Sequence, residues 1–134
     1  RSFYMGVDPI MEQNNAIYRE QSRLIQEFAE QSDCVIVGRS ADYILREKHP
    51  FRLFVYAEME HKMERCKKRA PESEHFTDKE LKRHILDVDK RRARYYQFFT
   101  GQTWGDRLNY DLCINTSNYD IKELVHAIAH LVEA

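Results

Sequence analysis

Twelve basic and seven acidic residues stand between positions 61 and 94, in a chain of 134 residues whose formal net charge is only −1. Six arginines of that stretch, Arg65, Arg69, Arg83, Arg91, Arg92 and Arg94, are of a type suited to phosphate, because guanidinium forks match phosphate oxygens in geometry. Asp89 and Arg92 are three apart and share a helix face, so the carboxylate can hold the guanidinium in aim. The competing reading is a solvated helix face laced by pairs such as Asp87 with Arg91. Gly38-Arg39 directly follow an apolar run, Cys34-Val35-Ile36-Val37. In open parallel sheets ligands bind beyond the carboxyl ends of the strands, which places Arg39 at a ligand edge. Thr116-Ser117-Asn118 follow the last strand in the same way, although turn and cap roles account for such residues on their own.

Several chemistries are absent. The glycines stand at 6, 38, 101 and 105, and no pair of them fits GxxxxGK[ST], so the 134 residues hold no Walker A loop. There is no GxGxxG, HExxH or GxSxG. Cys34, Cys66 and Cys113 form no CxxC, which argues against a zinc knuckle or disulfide scaffold and for free thiols, with Cys34 and Cys113 buried. His126 and His130 are four apart but have no evident third ligand. No apolar run approaches the roughly 20 residues of a membrane span, and the start shows no signal peptide. A cytoplasmic setting is the expectation.

The elements that must position these groups can be read from periodicity and caps. Residues 1–11 read as irregular. A helix is predicted from about Glu12 to Gln31, with Ile17, Leu24, Ile25, Phe28 and Ala29 at helical spacing. Cys34–Val37 reads as a strand covered on both faces, Ser40–Lys48 as a short helix ended before Pro50, and Phe51–Ala57 as a second strand. Met59–Arg69 is helical, with Met59, Met63 and Cys66 on one side. Thr77 and Glu80 form a capping box that opens a helix running to about Phe99, with Leu81, Ile85, Val88 and Phe99 as its stripe and Gly101 as its stop. Tyr110–Asn115 is the third strand. Asp120 caps a last helix that buries Ile121, Leu124, Val125, Ile128, Leu131 and Val132. Strands alternating with helices predict an α/β fold, a parallel sheet with flanking helices. Residues 1–134 read as one domain, within which 59–99 form a basic helical hairpin.

The stretch CVIVGRSADYIL, Cys34 to Leu45, resembles the cytidylate kinase-like family of P-loop nucleoside monophosphate kinases. The resemblance extends through DKRRARYYQFFTGQTWGDRLNYDLCINTS, Asp89 to Ser117, and covers roughly residues 12 to 133. It implies a P-loop NTPase kinase-like fold and transfer of the γ-phosphoryl of ATP, with Mg2+, onto CMP, dCMP or a related nucleoside monophosphate. Arg39 would meet the acceptor, with Asp42 and Arg83 as further substrate-binding residues. The 59–99 hairpin would include the lid. Arg92, oriented by Asp89, would act in catalysis there together with Arg65 and Arg69. Thr116, Ser117 and Asn118 would border the ATP base. Phosphoryl transfer needs positioning and charge neutralisation, so an arginine-rich closing lid suits it.

Three departures from the better-known cytidylate kinases stand out. Ser40 replaces the aspartate of their GRD, and Asp42 is the nearest carboxylate that could substitute. Ile85 replaces a lid arginine, for which Arg83 could compensate. The family also begins with a strand, P-loop and helix, and in its sheet that strand lies between the CVIVG and FRLFVYA strands. Without it, two apolar edges are left unpaired. The first expectation is a longer polypeptide, ahead of a rearranged fragment or a remnant that binds without catalysing.

Two other classes stand beside the kinase. One is a non-catalytic nucleotide- or anion-binding module, or a homo-oligomer that covers those edges. The other is a single-stranded nucleic-acid binder using Lys90 to Phe99, against which the bulk charge argues.

Overall fold

The computed structural model describes residues 9–70 and 75–133. It is an α/β structure made mostly of helices, with a small parallel sheet of two strands, and it divides into two compact units, 1–50 and 51–134.

In the first unit, helix α1 runs Pro9–Gln31 and helix α2 Ala41–Ile44, followed by a single 3-10 turn, Arg46–Lys48. The irregular stretch expected over 1–11 lies outside the described residues up to position 8, and the helix is already formed at Pro9. Ile25 is buried with Ala41, Ile44 and Leu45, and Tyr18, Ala29 and Ile36 pack around them. The predicted α1 stripe is therefore buried only in part: Ile17, Leu24 and Phe28 are exposed. The short apolar α2 offers too little surface to cover a full stripe.

The strand predicted at Cys34–Val37 does not form. A strand is completed by a neighbour's backbone groups, and no described residue pairs with this run. Val35 is 94% and Val37 89% exposed, and Cys34, expected to be buried, is exposed as well. The run ends in three successive left-handed residues, Gly38, Arg39 and Ser40, at φ of 73°, 57° and 55°. Such a turn is easy for glycine and strained for the other two. The Ser40 hydroxyl is buried with no hydrogen-bond partner.

The second unit is built on strands β1, Leu53–Tyr56, and β2, Leu112–Asn115, which pair in parallel with Leu53 opposite Leu112 and Tyr56 opposite Asn115. Both are shorter than predicted. Ahead of the pair, the Asp111 carboxylate accepts from the Arg52 backbone N–H at 2.7 Å and from its guanidinium at 3.3 Å, while the Arg52 carbonyl accepts from the Asp111 N–H at 2.8 Å. Phe54 meets Trp104 edge to face at 5.2 Å and the tilted ring of Tyr110 at 4.8 Å, pinning the 102–109 loop to the strand. Gly105, at φ 83°, lies so near that a Cβ there would stand 3.2 Å from the Phe54 ring. Glycine is required there by both conformation and space.

Between the strands run α3, Met59–Arg69, and α4, Asp78–Thr100. Residues 71–74, between these two helices, lie outside the described residues. The capping box is formed on both sides, Glu80 N–H to Thr77 Oγ1 at 3.2 Å and Thr77 N–H to Glu80 Oε2 at 3.3 Å, and Gly101 ends α4 in the left-handed region. Leu81, Ile85 and Tyr96 are its buried apolar residues. Cys66, read on the same side of α3 as Met59 and Met63, is exposed. Helix α5, Ile121–Glu133, is capped by Asp120 as read, its carboxylate accepting from the Lys122 N–H at 2.9 Å. The buried face predicted for it is a further correction: Ile121, Val125, Leu131 and Val132 are exposed, and Leu124 and Ile128 are only half-buried.

The Arg52 contacts hold the Asp111 carboxyl below its ordinary value, the guanidinium hydrogen bond first and the backbone N–H second. A lowered carboxyl stabilises the fold above the unfolded value near 3.9, and that contribution is lost as pH falls through the folded value. Asp111→Asn should cost up to about 1 kcal/mol at pH 7, given the exposure of the pair. In urea unfolding the variant and the parent should converge as the pH falls through the folded value of this carboxyl.

Candidate functional site

Helix α3 presents Lys62, Arg65 and Arg69 at i, i+3 and i+7, one face of a helix. α3 meets α4 through two ion pairs. Lys62 Nζ lies 2.7 Å from Asp89 Oδ2, and Lys67 Nζ lies 2.6 Å from Asp78 Oδ1. A residue early in α3 thus joins the middle of α4 and a late one joins its start, so the two helices form an antiparallel hairpin.

Asp89 is the centre of the charged cluster. Its side chain is 24% exposed, against 65% for Arg92, whose Nη1 lies 3.6 Å from Asp89 Oδ1. The i,i+3 geometry read from the sequence is present, but 3.6 Å is beyond a hydrogen bond. The hydrogen bond to Asp89 comes from Lys62, a residue the sequence reading did not single out. Its sequence signal is weak: one more lysine in a basic helix, 27 residues away.

The remaining predicted residues are distributed as follows. Arg65 spends two N–H groups on Thr116, one on Oγ1 at 2.8 Å and one on the carbonyl at 2.6 Å. The Thr116 hydroxyl in turn donates to the Tyr56 carbonyl at 3.1 Å. The Ser117 hydroxyl donates to Asn115 Oδ1 at 2.6 Å and accepts from the Glu58 N–H at 2.8 Å. Thr116 and Ser117 are buried, and with Arg65 they fasten the carboxyl ends of both strands to α3. Asn118 and Arg69 are exposed. Arg83 precedes Arg92 by nine residues, about 180° around the helix, so α4 carries them on opposite faces. Arg91 and Arg94 sit with His84, Asp87 and Lys90 along a shallow outer groove, where Asp87 and Arg91 form no ion pair. Tyr95 packs on Phe99 at 4.7 Å and Phe98 on Phe99 at 4.9 Å, while Tyr96 is buried, so most of these rings are engaged with each other. Arg39 and the half-buried Asp42 belong to the first unit, Arg39 on the left-handed turn and Asp42 in the first turn of α2. Among the described residues no three His, Cys, Asp or Glu side chains group to hold a metal, and no helix is long and apolar enough to cross a membrane.

The sheet and the basic hairpin with its Asp89–Arg92 pair belong to an α/β protein whose cations cluster on one helical hairpin. The comparisons narrow this class. Residues 2–118 match the cytidylate kinase-like family, and the chain belongs to that family. Among solved structures it is similar to an uncharacterized protein from Eubacterium ventriosum ATCC 27560, at 27% identity and a TM-score of 0.80, covering 90% of this chain and 74% of that one. No curated protein matches.

The hydrogen bonds of Arg65 distinguish it from Arg69. Arg65→Ala leaves Thr116 short of two donors in a half-buried place and should cost about 1–3 kcal/mol. Arg69→Ala should stay within about 0.5 kcal/mol, as an exposed residue does. Urea unfolding of the two variants measures the contrast.

Proposed function

We propose that this chain is the lid and acceptor-binding part of a nucleoside monophosphate kinase, which moves the γ-phosphoryl of ATP onto CMP, dCMP or a related monophosphate. The observation that supports it is the cationic cluster of the α3–α4 hairpin, with Arg92 exposed beside Asp89, in a chain of the cytidylate kinase-like family. In this reading 1–134 is one kinase-like domain of the P-loop NTPase fold and 59–99 contains the lid.

Arg92 neutralises charge on the transferring phosphoryl group, and Arg69 meets the phosphates from α3. Arg65 acts indirectly, holding α3 to the strand ends. Arg39 meets the acceptor's phosphate, with Asp42 beside it in sequence and Arg83 as a further substrate contact. Asn118 is the member of 116–118 left to border the ATP base, since the hydroxyls of Thr116 and Ser117 are already bonded. Mg2+ bound with ATP would neutralise phosphate charge, but the described residues offer no grouped donors for it and no step is assigned to it here. The reaction also requires a phosphate-binding loop, which the 134 residues do not contain.

The strain at Arg39 supports a functional role, because left-handed non-glycine residues persist where function holds them. A second reading rests on Val35 and Val37: exposed and apolar, they suit a non-catalytic module that covers its edges by self-association.

The test is acceptor-dependent ADP release by the full-length natural polypeptide, with each monophosphate in turn. Arg92→Ala should lower turnover by about 100-fold or more while leaving the unfolding midpoint in place. Full turnover in that variant removes the lid assignment. No ADP release with any monophosphate, together with a dimer in light scattering, moves the second reading to first place.

A further inference from the structure

We propose that Lys62 is a positioning residue that occupies Asp89 and thereby leaves the Arg92 guanidinium free to take an anion. The inference rests on the kinase reading for what the anion is, a phosphoryl group, but not for the arrangement itself. Among the described residues Asp89 has two cationic neighbours. Lys62 is the close one, hydrogen-bonded at 2.7 Å, and Arg92 the loose one at 3.6 Å. Coulomb attraction falls with distance, and the geometry of a hydrogen bond adds to the nearer pair. Lys62 and Asp89 are both substantially covered, at 32% and 24% exposed, so their attraction is less screened than that of Arg92 with its side chain at 65%.

The charge balance gives the consequence. With Lys62 present, the group Lys62, Asp89 and Arg92 carries one net positive charge. Without it, Asp89 and Arg92 cancel, and the carboxylate has a single cation to pair with, three residues along its own helix. Arg92 would then be folded back on Asp89, and an incoming phosphate would have to displace it. A salt bridge between α3 and α4 therefore also sets how available an arginine on α4 is. A simple tether predicts the opposite: loss of Lys62 would loosen the hairpin and expose Arg92 further.

The experiment measures Arg92 directly, by its rate of modification with phenylglyoxal in the intact chain, read by peptide mass mapping. Lys62→Met should slow modification about fivefold, the factor that about 1 kcal/mol of pairing supplies. Lys62→Arg should restore the parent rate, and so should Lys62→Met combined with Asp89→Asn. Asp89→Asn alone should leave the rate within about twofold, because Asp89 is already taken by Lys62. A faster or unchanged rate in Lys62→Met overturns the proposal, and so does a several-fold rise in Asp89→Asn, which decides the matter even if Lys62→Met fails to fold. Inorganic pyrophosphate should protect Arg92 in the parent, and about fivefold more should be needed in Lys62→Met. If pyrophosphate gives no protection in the parent, the phosphoryl assignment of the kinase reading fails at this site, while the modification rates still decide the role of Lys62.

Discussion

The pairing of two short parallel strands is the constraint on which the second unit rests. Four residues a side form a ladder too small to stand alone. Both ends of this one are closed by hydrogen bonds. At the amino end the Asp111 carboxylate takes the Arg52 backbone N–H and guanidinium. At the carboxyl end Thr116 meets Tyr56 and Arg65, and Ser117 meets Glu58. Because Arg65 belongs to α3, closing the strand ends also fixes the helix that carries Lys62 and Arg69. The same interactions that terminate the sheet therefore aim the basic hairpin. Phe54 contributes from the middle, holding Trp104 and Tyr110 and lying close against Gly105.

Within the hairpin, electrostatics and packing divide α4 by face. Leu81, Ile85, Tyr96 and Thr100 are the buried positions, and Asp89 and Arg92 fall beside them around the helix. Arg83, Lys90, Arg91 and Arg94 project from the outer side. A run of arginines that looks uniform in sequence is thus split by the 3.6-residue period into groups with different neighbours. Arg92 alone of the α4 arginines stands beside a half-covered carboxylate, and that carboxylate is matched by a lysine from the other helix.

What the sequence disclosed follows the range of the interactions. The limits of α3 and α4 were legible because caps act within four residues: Thr77 with Glu80, and Gly101 after Thr100. Asp120 at the start of α5 is of the same kind. The Asp89–Arg92 neighbourhood was legible for the same reason. The Lys62–Asp89 bond spans 27 positions and Arg65–Thr116 spans 51, and no periodicity announces either. The buried faces predicted for α1 and α5 failed in a consistent way. Hydrophobic spacing shows which face a helix offers, but burial needs a second surface, and the described residues supply one only to Ile25 and its neighbours.

The run from Cys34 to Ser40 shows both limits at once. β-branched residues favour an extended backbone, which is the ground for expecting a strand over Val35, Ile36 and Val37, where no regular structure forms. Yet a strand is a relation between two chains of backbone groups, and intrinsic preference cannot supply the second. The residues that follow invert the argument. Arg39 and Ser40 stand in a conformation that costs each roughly 1–2 kcal/mol, and nothing in their identities forecast it. Gly38 is the residue in the turn that suits it. With the Ser40 hydroxyl buried and unbonded, the turn spends stability in two ways. A segment that retains unpaired valines, two left-handed side chains and an orphan hydroxyl is not optimised for the stability of its own unit.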